Sequence, residues 1–203
     1  MEKRFFILIA ALFCLPALQL FAQARGADLT PPPANLEGTP PLPREFRKLT
    51  LGMDLESLKT ALAADDAFAF RGDADVSFLP LREQNVVDTA GAGFVKRAFF
   101  QLEETARADG ATTPGGVFIM AFVLNTGKVD HYSVFTRFVE QYGDPAVLNP
   151  KLAFWEDGAT RIYLERPLTV KYIDKAVFDK HIENSKALES ENAKLREEFL
   201  NEF

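Results

Sequence analysis

Apolar residues recur at helical spacing in two stretches of the chain and at strand spacing after each. Leu55, Leu58 and Leu62 fall at i, i+3 and i+7 behind Asp54. This predicts an amphipathic helix over 54–64 with Asp54 as its N-cap. Tyr132, Phe135, Val139 and Tyr142 repeat in the same way behind Asp130, and Gly143 with Pro145 ends the run. Strand-like segments follow the first helix at 76–81, 94–102 and 116–124, the last two separated by a polar, glycine-containing loop at 103–115. After the second helix come 152–156, 159–165 and 168–173. In the last of these, Leu168, Val170 and Tyr172 alternate with Thr169 and Lys171, so one face should be buried. Asp157-Gly158 lies between 152–156 and 159–165, where a type I′ turn with positive φ is expected. Read in order, the pattern predicts an α+β fold of two tandem helix-plus-three-stranded antiparallel meander units. These span about 46–125 and 126–173, and a long C-terminal helix follows over 174–203.

In that tail Leu188, Asn192, Leu195 and Phe199 keep a 4-3-4 spacing, a coiled-coil-like seam. The seam is interrupted earlier, where His181 and Ser185 occupy its track. Docking on the chain's own domain and self-association both fit this pattern.

The start of the chain has a different logic. Met1-Glu2-Lys3-Arg4 is a short basic end, an apolar run follows, and Ala22-Gln23-Ala24 has the small-x-small pattern of a peptidase site. Residues 1–24 therefore read as a cleavable signal peptide, which implies export to the periplasm or the extracellular space. The apolar run is short of the ~20 residues a spanning helix needs and contains Pro16, so no stable membrane span is expected after cleavage. Cys14, the chain's one cysteine, follows Phe13 inside the apolar run. It reads as one more apolar residue, and its removal would leave no thiol for a disulfide or a metal. Six prolines between Pro31 and Pro43 mark 25–45 as an extended linker.

Composition narrows the function. The net charge is −6 with no basic cluster, which argues against nucleic acid and anionic lipid as partners. The two histidines, His131 and His181, sit outside any His-x-x-x-His or Gly-x-Ser-x-Gly context. Asp73-Ala74-Asp75 resembles the opening of a calcium loop, but Phe78 and Gln84 occupy the positions that need Gly and Glu. Asp65-Asp66 and Glu103-Glu104 read as solvated acidic pairs. Arg71-Gly72-Asp73 spells an integrin-binding tripeptide, a pattern short enough to arise by chance. Gly91-Ala92-Gly93 lacks the lysine of a phosphate loop. No cofactor, metal or catalytic constellation emerges.

The pattern Gly52-Met53-x-x-Glu56-x-Leu58-x-x-x-Leu62, with Tyr142-Gly143-Asp144-Pro145 after the second helix, resembles envelope domains of the SmpA/BamE type. The tandem arrangement is similar to β-lactamase-inhibitory-protein-like domains. The resemblance implies a helix packed on a small sheet and action by binding another protein.

Three functions follow as expectations. The first is a non-enzymatic protein-binding or assembly module of the cell envelope. The second is a carrier of an apolar ligand or lipid, suggested by nineteen phenylalanines. The third is a hydrolase with dispersed carboxylates. If Phe99, Phe118, Phe122 and Phe135 line a cavity, the carrier gains; if they pack solidly, it weakens. Candidate binding residues are Trp155 and Phe154, strand neighbours of which one should be buried and the other accessible, and Leu188, Leu195 and Phe199 of the tail.

Overall fold

A computed structural model describes residues 41–79, 84–106 and 112–200. The stretch read as a signal peptide, 1–24, and most of that read as a linker, 25–45, lie outside the described residues. The elements are β1 (Glu45–Phe46), β2 (Leu49–Thr50), α1 (Leu55–Ala63), β3 (Val76–Leu79), β4 (Gln84–Ala90), β5 (Val95–Ala106), β6 (Thr112–Leu124), α2 (His131–Tyr142), β7 (Val147–Leu148), β8 (Leu152–Glu156), β9 (Thr160–Glu165), β10 (Thr169–Asp174) and α3 (Lys175–Leu200). The two helix starts form as their capping residues dictate. Asp54 and Asp130 each accept the backbone N–H three residues on, at 2.9 Å in both cases.

The sheet corrects the expected fold class. There are not two separate three-stranded meanders but one eight-stranded antiparallel sheet, ordered β3-β4-β5-β6-β10-β9-β8-β7, beside the small β1-β2 hairpin. Two strands of this sheet escape the sequence pattern, as does the β1-β2 hairpin. In β4, Gln84 and Thr89 are buried, so polar residues occupy interior positions and blunt the apolar signal. β7 is only two residues long. The supposed loop at 103–115 is largely strand, because β5 and β6 run on past Leu102 and start before Gly116. The last strands of the two halves then pair directly. Residues 119–123 of β6 lie against 169–173 of β10, with Phe122 opposite Val170 and Met120 opposite Tyr172.

One face of this sheet carries the main core. Val87, Phe100, Met120, Tyr172, Ile162 and Trp155 follow one another across paired strands, and all are buried. Leu58 and Leu62 of α1 and Phe138 of α2 cover this row. Phe122 sits at its centre, with ring centroids 4.3 Å from Phe46, 5.9 Å from Phe100 and 6.2 Å from Tyr172. Leu42, within the segment read as linker, is also buried in this core. The opposite face buries Val86, Gln101, Phe118 and Ile173. There the first turns of α3 lie against the sheet, with His181 stacked 4.9 Å from Phe118.

Two turns show how local chemistry holds the frame. Gly52 has φ 91°, and the Gly52-Met53 turn docks backbone to backbone on β6. Gly52 N–H donates to the Val117 carbonyl at 2.7 Å, and Val117 N–H donates to that of Met53 at 2.8 Å. This approach leaves no room on Gly116, where a Cβ would lie 2.7 Å from the Gly52 carbonyl oxygen. The Asp157-Gly158 turn is not the expected type I′, because Gly158 is not among the residues with positive φ. The Asp157 carboxylate shapes it instead, accepting from the N–H groups of Ala159 at 2.8 Å and Thr160 at 2.7 Å. Its second oxygen accepts from Leu42 N–H at 2.7 Å, which ties the start of the domain to the hairpin.

These turns give opposite expectations for two glycines. Gly116→Ala should cost about 1–3 kcal/mol, since backbone must move to admit the methyl. Gly158→Ala meets open space and should be neutral or stabilise by up to ~1 kcal/mol. Denaturant midpoints of both variants test this, and an equal loss at the two positions would contradict it.

Candidate functional site

At the sheet end beside the α2 entry, the β4–β5 turn, the β1-β2 hairpin and the β6–α2 loop enclose an open apolar groove of about 420 Å³. Phe46, Ala67, Leu124 and Val129 supply apolar lining, and Arg47 and Asp66 stand on its polar side. Gly93, with φ 67°, turns the chain so that Phe94 stands at the lip, 63 % exposed. This turn is anchored, since Asn125 N–H donates to the Phe94 carbonyl at 2.8 Å. The Lys128 ammonium lies 5.9 Å from the Phe94 ring centroid, a cation over an aromatic face. On the far wall Arg47 grips Asp65 through two hydrogen bonds, 2.7 and 2.8 Å, which hold that carboxyl below its ordinary range. A hydrogen-bonded turn thus presents a large aromatic ring to solvent beside an apolar trough.

Of the two acidic pairs, Asp65-Asp66 differs from expectation, and the Glu104 side chain lies outside the described residues. Asp65 is a buried structural partner of Arg47 rather than a solvated residue, whereas Asp66 is exposed. The Arg71-Gly72-Asp73 tripeptide does not display a free cation and carboxylate. Arg71 is paired with buried Asp75, and Asp73 with Lys59 at 2.7 Å. Among the described residues no three His, Cys, Asp or Glu side chains come together as a metal-binding group.

The structure separates the predicted site residues. Trp155 is the buried member of its pair, 2 % exposed, with its indole N–H donating to the Gly143 carbonyl at 2.9 Å. It packs on Phe138 and Phe135 and serves the core. Phe154 faces the other side, half-buried, with its ring 4.7 Å from Tyr163. Burial pushes the Tyr163 phenol up to about 12. Leu188, Leu195 and Phe199 fall on α3, but their side chains lie outside the described residues. Phe118 and Phe122 are fully packed, and Phe135 and Phe99 are partly buried on opposite faces; the four do not line a common cavity. Phe94 was not singled out by the sequence pattern. Its signal was an aromatic directly after Gly91-Ala92-Gly93, where a tight turn leaves no strand face to bury it.

The near end of α3 is clamped on the sheet by charge. Arg161, on the second face, pairs with Glu156 and with Asp179 of the helix. Lys180 reaches Glu103 at 3.0 Å. His181 lies between these contacts, its Nε2 buried with no protein partner, and burial lowers its basicity. The folded state therefore takes up fewer protons than the unfolded chain. Stability is complete above the ordinary histidine value of ~6.5 and falls as pH drops below it. His131, also lowered by burial, acts in the same direction. The unfolding midpoint should thus decline between about pH 7.5 and 5.5, and His181→Phe should reduce that decline; an unchanged slope would contradict the assignment.

Comparison with curated proteins and with solved structures finds no match. A family model described as the TP0088 domain matches residues 44–184, from just before β1 to the end of the clamped part of α3. The match takes in the whole sheet, both faces and the groove, and the chain belongs to the TP0088 domain family.

Proposed function

We propose that the chain is an exported, non-enzymatic protein-binding or assembly module of the cell envelope, and that the groove beside Phe94 is its contact surface. The observation that carries this reading is an aromatic ring held out by an anchored glycine turn over an apolar trough. Exposed aromatic anchors beside apolar recesses are where protein interfaces concentrate their binding energy. Tyr132, three residues beyond the groove-lining Val129, is 74 % exposed and extends the aromatic character of this end. Phe154 is a weaker candidate than it was from sequence, because Tyr163 covers part of its ring. A carrier role draws no support from the four aromatics that would have lined an interior cavity, since they pack on opposite sides of the sheet.

The export part of the reading rests on residues 1–24. Sequencing of the secreted or periplasmic chain should begin at Arg25, and retention of Met1 in a membrane fraction would contradict it.

The binding part is tested with a photo-crosslinking residue at Lys128, on the groove rim, in the cells that make the protein. A discrete envelope protein should be captured. Phe94→Ala should reduce that capture at least tenfold while leaving the unfolding midpoint within ~0.5 kcal/mol of the parent, as expected for an exposed site. Capture unaffected by Phe94→Ala, or a measurable turnover abolished by a carboxylate or histidine substitution, would overturn the proposal.

A further inference from the structure

The sequence carries no basic cluster, yet the fold gathers cations at the groove end of the sheet. The turns at this end are joined through their backbones into a continuous rim. Ala92 N–H donates to the Ala67 carbonyl at 2.7 Å, and Asn125 N–H to that of Phe94 at 2.8 Å. Leu124 N–H donates to the Leu168 carbonyl at 3.0 Å, and Arg166 N–H to that of Lys151 at 2.9 Å. Lys48, Lys96, Lys128, Lys151 and Arg166 come from five separate turns or strand ends along this rim, and all are exposed. None of the five forms an ion pair among the described residues. The carboxylates of this end are mostly committed. Asp65 holds Arg47, Asp88 holds Arg97, Glu165 holds Lys171, and Asp130 caps α2 through Ser133. Asp66, on the groove wall, stands exposed 3.5 Å from Arg47. This end is therefore positive in a chain whose net charge is −6.

We infer that the partner of the groove is an acidic, extended protein segment, with an apolar side chain seated beside Phe94 and carboxylates facing Lys128, Arg166 and Lys151. The inference rests on the groove being a contact surface. Charge complementarity selects the sign of the partner, because unpaired cations follow one another from the groove lip along the rim. The sheet selects its form. Strand β8, which Lys151 precedes, lies four strand steps from β5, which Phe94 precedes. Four steps are about 19 Å, the span of roughly six extended residues. An anionic lipid surface fits less well. The apolar lining is recessed between loops, and the Asp66 carboxylate stands on its wall with its side chain 99 % exposed.

Fluorescence anisotropy of the purified protein with dye-labelled peptide pools provides the test. Each peptide carries one Phe, Leu or Trp anchor and a run of flanking residues before or after it, all Glu, all Gln or all Lys. The Glu pool should bind about tenfold more tightly than the Gln pool, and the Lys pool more weakly than either. Raising the salt from about 50 to 500 mM should remove most of that difference. Lys151→Glu combined with Arg166→Glu should weaken the Glu pool about tenfold and leave both the Gln pool and the unfolding midpoint unchanged. Phe94→Ala should weaken both pools. Equal binding of the Glu and Gln pools, lost in Phe94→Ala, would overturn the acidic assignment and leave the groove reading in place. Failure of the Glu pool to bind would also overturn the assignment. Binding of the Glu pool that survives Phe94→Ala would overturn the groove reading with it. Binding of phosphatidylglycerol-containing vesicles that is lost in the Lys151 and Arg166 double variant would assign the rim to a membrane and overturn the inference.

Discussion

The pairing of β6 with β10 is the constraint on which the rest of the molecule depends. Residues 119–123 and 169–173 close the gap between two runs of strands that are far apart in sequence. Once they pair, no free edge remains in the middle of the sheet, and the open edges retreat to β3 and the two-residue β7. Short edge strands of this kind limit unwanted strand addition. A sheet this wide must be covered on both sides in its central strands. That requirement explains why Ile173 is buried directly beside Tyr172, although their side chains point to opposite faces.

The helices are placed by this requirement. α1 and α2 cover the face carrying Phe100, Phe122 and Trp155, where aromatic rings meet at tilted and edge-on angles. α3 is the direct continuation of β10, so it turns back over the second face at the end where β5 finishes and β9 begins. It is held there chiefly by ion pairs around Arg161 and by the His181–Phe118 stack, because this face offers fewer apolar residues than the first. The clamp ends where the sheet ends, and the helix continues past it. The groove arises at the other end of the same frame, where Gly93 reverses the chain between β4 and β5 and no helix reaches far enough to cover Phe94.

Much of this arrangement was legible in the sequence, and the failures have physical causes. Both helices, their aspartate caps and the Gly143 stop could be read because each is decided within a few residues. The burial of Leu168, Val170 and Tyr172 followed from simple alternation. β4 was missed because Gln84 and Thr89 are interior in a strand that also exposes little apolar surface. The joining of the two halves into one sheet could not be read at all, since pairing between residues about 50 apart leaves no local trace. The Asp157-Gly158 pair was recognised as a turn but assigned the wrong geometry, because the aspartate side chain does the work there that positive φ would otherwise do. For the site, Trp155 and Phe154 were correctly read as facing opposite ways, yet exposed Phe94, at the lip of the groove, lies in a turn, where periodicity carries no information.

Native-state hydrogen exchange across the central seam tests this account most directly. If the two halves form one cooperative sheet, the amides bonded between residues 119–123 and 169–173 exchange only through global unfolding. Their free energy of exchange should then equal the unfolding free energy reported by Trp155 fluorescence in the second half. Seam amides that exchange at a markedly lower free energy than those of β5 or β9 would show two halves that open independently, and would contradict the single-sheet account.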